Sequence, residues 1–462
     1  MLHRPVINAS AWGGLAGLAG FALAGLACHA GQPVVAPGPG AVQSTAVSAT
    51  TTRTTAIVGA TVIDGTGAPP LRDATILLQG RRIRAVGPRP SLRLPVGTEV
   101  IDGRGRFVVP GFVDANVHIG GNSALANFGD ATPDSAMARV AVDILRAGVT
   151  TIRDTWGRLA WLRQVRDRFR SGRPLGPRLL IAGNIVGWVA DYSVKDVLRP
   201  RTSGEMAAID SATHGSGPDL IGLDPDSLRR RIRRYLDTGV DQIKYGGTTH
   251  AALPDILFSA RAQRVIVEEA HRRGLPVETH ATTPEAMRAA VLAGVDMVTH
   301  AEILATATPA GDFDFLPIPD DLARLIGRRG MLCSLIPLWE HSVRDSLILT
   351  ANRRKLFHAG CAVVPSTDAG TPGELTVRAI EALVTSVGLT PMEALVAATR
   401  NGARACRMLD QFGTIEPGKL ADLVVLAADP LQDIKHIEQV MLVFTEGRRV
   451  ESRAPATPSH QP

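Results

Sequence analysis

Five stretches of this chain close an apolar run on a side chain that can hold a metal or move a proton. They are "FVDANVHIGG" with Asn116 and His118, "DQIKYGG" with Lys244, "PVETHA" with His280, "DMVTHA" with His300 and "VVPSTDAG" with Asp368. Imidazole nitrogens and carboxylate oxygens are the usual donors to zinc-like ions. A lone histidine ending a strand is more often a hydrogen-bonded structural residue, and a lone aspartate in "STDAGTPGE" reads as a helix N-cap. Their recurrence on successive strand ends is what favours one shared site. His271 and His358 sit inside helical patterns and do not belong to the set.

Lys244 adds an argument from composition. Only five of the fifty basic residues are lysine: Lys195, Lys244, Lys355, Lys419 and Lys435. A lysine ending a buried strand in an arginine-rich chain suggests a task that guanidinium cannot perform, because a desolvated amine can lose its proton and arginine effectively cannot. A neutral amine can also take up carbon dioxide to give a carbamate, an anionic ligand able to bridge two cations. The alternative is a buried lysine paired with Asp241 or another acid.

The elements that would carry these residues follow from hydrophobic periodicity. Short β-branched or apolar runs are expected at Phe112–Ile119, Val149–Asp154, Arg178–Val186, Asp241–Tyr245, Pro276–Ala281, Met297–Ala301, Met331–Pro337 and Ala362–Asp368. Amphipathic helices such as "DSLRRRIRRYLDTG" alternate with them. Eight strands with intervening helices predict an α/β fold, a (β/α)8 TIM barrel over 110–412, in which chemistry sits at the C-terminal strand ends. An open doubly wound sheet is the competitor, but no Gly-rich phosphate loop follows the first strand. The β-rich segments 55–109 and 413–452 flank this middle and predict a small discontinuous β-sandwich domain built from both ends of the mature chain; 453–462 is a tail.

The whole chain has 462 residues, 45% hydrophobic, with a net charge of +6. Its arginines are scattered among acids, which argues for a solvated surface and against nucleic-acid binding. Residues 1–28 read as an export signal, with Arg4 ahead of a Gly/Ala/Leu-rich run, and 29–54 as a disordered tether. Cys28 follows Gly25-Leu26-Ala27, so it is a candidate lipidation site, and the expected location is periplasmic or membrane-attached; an uncleaved membrane anchor is the alternative. Four cysteines, Cys28, Cys333, Cys361 and Cys406, show no metal-binding spacing, and no disulfide framework is expected.

Together the strand-end motifs, the β-rich flanks and "GTIEPGKLADLVVLAADPL" resemble the amidohydrolase superfamily, in particular its imidazolonepropionase-like and Xaa-Pro or Xaa-Arg dipeptidase-like members with a carboxylated lysine. The resemblance implies that His118 is the second histidine of a His-x-His ligand pair, Lys244 the bridging carbamate, and His280 and His300 ligands of the more exposed metal. It further implies that Asp368 binds the buried metal and shuttles the proton. Asn116 departs from the pattern by replacing the first histidine; an amide oxygen is a weaker, harder donor for zinc-like ions, which leaves the buried site weak, altered or empty. One or two divalent ions, zinc the expected one, and carbon dioxide as the lysine carbamate are the implied cofactors.

The implied activity is hydrolysis of an amide or cyclic-amide C–N bond in a small-molecule or peptide-like substrate such as a small peptide or N-acyl amino acid. A mononuclear hydrolase, deaminase or lactonase on the same scaffold is the second reading, and an inactive surface-binding protein the third. Trp188, Tyr192 and His250 are candidate substrate-binding residues. Assembly with further copies of the chain is compatible with the sequence.

Overall fold

The computed structural model describes residues 53–120, 132–188, 211–249, 255–304, 314–336, 342–369 and 374–451. The expected signal, Cys28, Tyr192, His250, the C-terminal tail and all of the expected tether 29–54 except Arg53 and Thr54 lie outside them, and Thr54 already begins the first strand. Among the described residues no helix is long and apolar enough to cross a membrane.

From Thr54 the chain runs through β1 (Thr54–Val62), β2 (Leu71–Gln79), β3 (Arg82–Pro88), β4 (Glu99–Asp102) and β5 (Phe107–Pro110). The parallel strands are β6 (Phe112–Val117), β7 (Val149–Asp154), β8 (Arg178–Ile181), β9 (Ile243–Gly246), β10 (Val277–His280) and β11 (Met297–Thr299). After a short antiparallel pair, β12 (Ile303–Leu304) and β13 (Phe315–Leu316), come the parallel strands β14 (Leu332–Leu335) and β15 (Ala362–Pro365). The chain then closes with β16 (Leu423–Leu426), β17 (Val440–Thr445) and β18 (Arg448–Glu451). Each of the eight strands expected for the middle of the chain overlaps one of these parallel strands, β9 running one residue past its expected end. Most of the observed strands are shorter than expected, ending before the last residues of the apolar run.

The two β-rich ends meet in one eight-stranded sheet of order β18-β17-β16-β5-β1-β2-β3, with β4 beside β1. Antiparallel pairing of β16 with β5, Val424 opposite Val109, joins them. Ile57, Ile76, Leu78, Val108, Leu423 and Phe444 form the buried core of this sheet. Such alternating β-branched runs bury one face without a helix between them.

The parallel strands lie in two sheets, β6-β7-β8 and β15-β14-β11-β10-β9. Backbone bonds cross both gaps: Val186 N–H to Lys244 O at 2.9 Å and Asp241 N–H to Ile181 O at 2.8 Å on one side, Asp368 N–H to Asn116 O at 2.8 Å on the other. β7 is buried along its whole length, as a parallel strand covered on both faces should be.

Helices pack outside these strands for local reasons. Pro225–Asp237 starts at Asp224, whose carboxylate accepts from the Asp226 and Ser227 amides, and it buries Leu228, Ile232, Tyr235 and Leu236 on one stripe. Ser259 and Thr283 cap the next two helices in the same way.

Cys333 and Cys361 are joined in a disulfide, with their Cα atoms 6.2 Å apart and a sequence separation of 28. The thin cysteine usage led to no expectation of such a bridge. Pairing becomes visible only once β14 and β15 are neighbours, since a whole helix separates the two cysteines along the chain.

Candidate active site

Residues two apart on a strand share a face, and this rule builds the site in layers. Asp114 and Asn116 lie on β6, with His118 just after it; Arg153 on β7 precedes Thr155 by two, Gln242 precedes Lys244, and Glu278 precedes His280. In the lower layer the buried Arg153 guanidinium donates to Gln242 Oε1 at 2.5 Å and lies 3.5 Å from Glu278 Oε2. The upper layer holds the residues expected to do chemistry. β10 pairs with β9 so that Glu278 faces Lys244, and with β11 so that His280 faces Thr299, placing His300 one step further on.

Asp368 is the hub. Its Oδ1 accepts from Asn116 Nδ2 at 2.7 Å and lies 2.9 Å from His118 Nε2, with Lys244 Nζ at 4.0 Å; Oδ2 is 3.6 Å from His300 Nδ1. Burial alone would raise this carboxyl, but His300, His118 and Lys244 together hold it well below the usual carboxylate range. With 16% of its side chain exposed, it is an ionised base with an opening to the site.

Asn116 is fully buried, and its amide is engaged at both ends. While Nδ2 donates to Asp368, Oδ1 accepts from the Thr155 hydroxyl and from Lys244 Nζ at 3.3 Å. Lys244 Nζ also donates to Thr155 Oγ1 at 3.1 Å. The lysine therefore pairs with Asp368, Asn116 and Thr155; the partner weighed for it from sequence, Asp241, instead binds Arg166 and Arg170.

The histidine rings continue the wall. His280 stands edge-on to His300, centroids 5.2 Å apart, and to Trp188 at 5.0 Å; Trp156 links Trp188 to His118 at 5.4 and 5.9 Å. Trp188 is buried and donates Nε1–H to Thr248 O at 3.1 Å, so it backs His280 rather than offering an open face. Gly246 makes this packing feasible, since a Cβ there would stand 2.1 Å from Trp188 Nε1.

Three site residues, His300, Ala301 and Asp368, have φ of 64°, 55° and 52°. Non-glycine residues in the left-handed region are strained and tend to cluster where function demands it. The strand ends thus turn sharply to bring the two side chains face to face.

Two buried carboxyls that the strand-end search passed over hold this geometry. Asp114 accepts from the Thr367 and Thr376 hydroxyls at 3.0 and 2.8 Å and from the Asn116 and Thr367 amides, tying β6 to the turn that presents Asp368. Burial pushes it up to about 7 against those bonds. Asp154 accepts from the Ile119 and Trp156 amides at 2.9 and 3.2 Å. Their signal in the sequence was the period-two offset from Asn116 and the polar end of "TIRDTW".

Burial pushes Asp154 from its ordinary 3.8 up to about 8, with the Ile119 and Trp156 amides and Lys244 pulling it down. The folded state then holds this proton more tightly than the unfolded chain. The stabilising contribution is complete below the unfolded value and is lost as pH rises toward the folded one. Between about pH 5 and pH 8 the wild-type melting temperature should fall more steeply than that of Asp154→Asn. Parallel melting profiles would show that Asp154 does not titrate in this window.

Among the described residues no three His, Cys, Asp or Glu side chains stand in a metal-holding arrangement. The expected ligands converge but are closed on one another through Asp368. The donor types nevertheless fit a borderline first-row ion, and His118 Nδ1 is a buried nitrogen with no hydrogen-bond partner among the described residues.

Three comparisons bear on this arrangement. The model of the amidohydrolase family matches residues 107–450. Ochratoxinase of Aspergillus niger is 26% identical over 428 residues, covering 84% of each chain. Imidazolonepropionase of Symbiobacterium thermophilum is 28% identical over 394 residues, covering 77% of this chain and 86% of that one. Among solved structures, phenylurea hydrolase B superposes with a TM-score of 0.75 at 30% identity, covering 86% of this chain and 96% of that one.

Proposed function

Because the chain belongs to the amidohydrolase family, we propose that it is an exported hydrolase of amide C–N bonds that works with one divalent metal ion held around His118, His280, His300 and Asp368. The observation that carries this reading is the convergence of His118, His300 and Lys244 on a single ionised aspartate, with His280 edge-on to His300. One ion is favoured over two because the Asn116 amide is committed to Asp368, Thr155 and Lys244, leaving it no lone pair aimed at a second metal. In this reading the three- and five-stranded parallel sheets are arcs of one (β/α)8 barrel, with the site at the C-terminal strand ends.

A bound divalent ion supplies a water of pKa near roughly 7 and polarises the carbonyl under attack. Asp368 accepts the water's proton and delivers it to the departing nitrogen, acting first as base and then as acid. Lys244 and His118 keep it ionised before the reaction, and Asn116 fixes its Oδ1. The aromatic and imidazole edges of Trp156, Trp188 and His280 shield this exchange from bulk water.

The substrates proposed are small peptides, N-acyl amino acids and, from the name of phenylurea hydrolase B, aryl ureas. We read residues 1–28 as an export signal and Cys28 as its lipidation site. Screening dipeptides, N-acyl amino acids, aryl ureas and lactones with zinc-loaded protein tests the reaction class. Turnover confined to amide or urea bonds is the expected result; lactones alone, or no turnover across the set, would overturn it.

A further inference from the structure

A cavity of about 590 Å³ lies at the opposite end of the parallel strands from Asp368, where Arg178 begins β8 and residues of the helix Leu159–Arg170 and of the eight-stranded sheet share its lining. Arg81, Arg82, Arg166, Arg170, Arg178 and Arg448 line it, and Glu446 is the one acid among the lining residues. We propose that this cavity binds an organic diphosphate, the guanidinium groups taking the two phosphoryl groups and the apolar wall of Phe169, Leu175 and Met408 taking the organic part.

Part of the arginine charge is already matched. Arg178 is held by Asp422 at 2.8 Å and Glu446 at 3.0 Å and stacks 4.4 Å from the Phe412 centroid, while Arg81 shares Glu446. Arg166 and Arg170 divide the two oxygens of Asp241. The surplus falls on Arg448 and Arg82, neither of which has a carboxylate partner among the described residues. Arg82 Nη1 donates to the Gly418 carbonyl at 2.6 Å. The Arg448 guanidinium lies over Gly172, where any Cβ would stand 2.0 Å from Nη1; φ at Gly172 is 75°, so glycine is demanded twice over. Arg166 Nε makes no hydrogen bond among the described residues, its nearest acid being Asp167 Oδ1 at 3.6 Å.

Elsewhere this chain neutralises clustered arginines from within, as where Arg229, Arg233 and Arg272 meet the three acids Asp226, Glu268 and Glu269. Here it gathers six guanidinium groups around open space and leaves two uncompensated. Planar forks with fixed donors suit phosphoryl oxygens, and Arg82 and Arg448 offer one such fork to each of two phosphoryl groups. The volume falls within the range of small-ligand sites.

Titration calorimetry on the metal-loaded protein with inorganic pyrophosphate, ADP and dimethylallyl diphosphate tests the proposal. Saturable binding of pyrophosphate is expected, and a gain with ADP or with the prenyl compound tells a nucleotide from a lipid precursor as the organic part. The Arg82→Ala/Arg448→Ala variant should bind about tenfold more weakly or worse while melting as the wild type does, since both side chains are exposed. Absence of saturable binding would overturn the proposal. So would equal affinity of wild type and variant, which would put the ligand at the metal site instead.

Discussion

Asp368→Asn should lower kcat on any substrate found in the screen by about two to four orders of magnitude, the span of a positioned acid–base group. The replacement is nearly isosteric, and its amide oxygen can still accept from Asn116 Nδ2, so the turn after β15 keeps its anchor. It cannot take a proton from water. It also removes the anion that His118, His300 and Lys244 surround, leaving a buried ammonium with only the neutral oxygens of Asn116 and Thr155. A lowered melting temperature should accompany the loss of turnover, because one partner of a buried charged cluster has gone. Steady-state kinetics and a melting curve on the same preparation check both. A kcat within a few-fold of wild type would remove Asp368 from the reaction.

Asn116→His should raise the metal content of the protein from about one to about two ions per chain after zinc loading, by replacing a committed amide with an imidazole donor. The substitution breaks three contacts at once, those with Asp368, Thr155 and Lys244. Freed from Asn116 Oδ1, Lys244 becomes available for carboxylation, so the gain should be larger when bicarbonate is present. Elemental analysis of the purified variant, with and without bicarbonate, reads the effect. An unchanged metal content would mean that position 116 does not govern the second site.

These expectations rest on features readable from sequence to different depths. The strand ends were readable because β-branched runs such as "VTTIRD" and "PVETHA" stop at polar residues, and a strand's period of two fixes which of them share a face. The Arg153–Gln242–Glu278 layer follows the same rule, yet a buried ion pair inside an apolar run looks like three unrelated polar interruptions until the strands are neighbours. Thr155 was missed for a different reason: threonine suits strands and carries no charge, so only its contact with Asn116 shows its part. Histidine and aspartate enter the left-handed region more readily than most residues, but that preference is too weak to single out His300 and Asp368 from sequence. Lys244 stood out through lysine's rarity in this chain, while its partners Asn116, Thr155 and Asp368 depended on bringing together the ends of β6, β7 and β15, which composition cannot supply. The Cys333–Cys361 bridge, too, waited on the adjacency of β14 and β15.

The metal content of the wild-type protein tests the central claim most directly. Purified protein loaded with zinc, desalted and assayed by elemental analysis should hold about one ion per chain, and a chelator should remove both the ion and the hydrolysis, each returning with zinc. Two ions per chain would contradict the reading of Asn116 as a committed amide. No ion after loading, with or without bicarbonate, would contradict the account of the site as a whole.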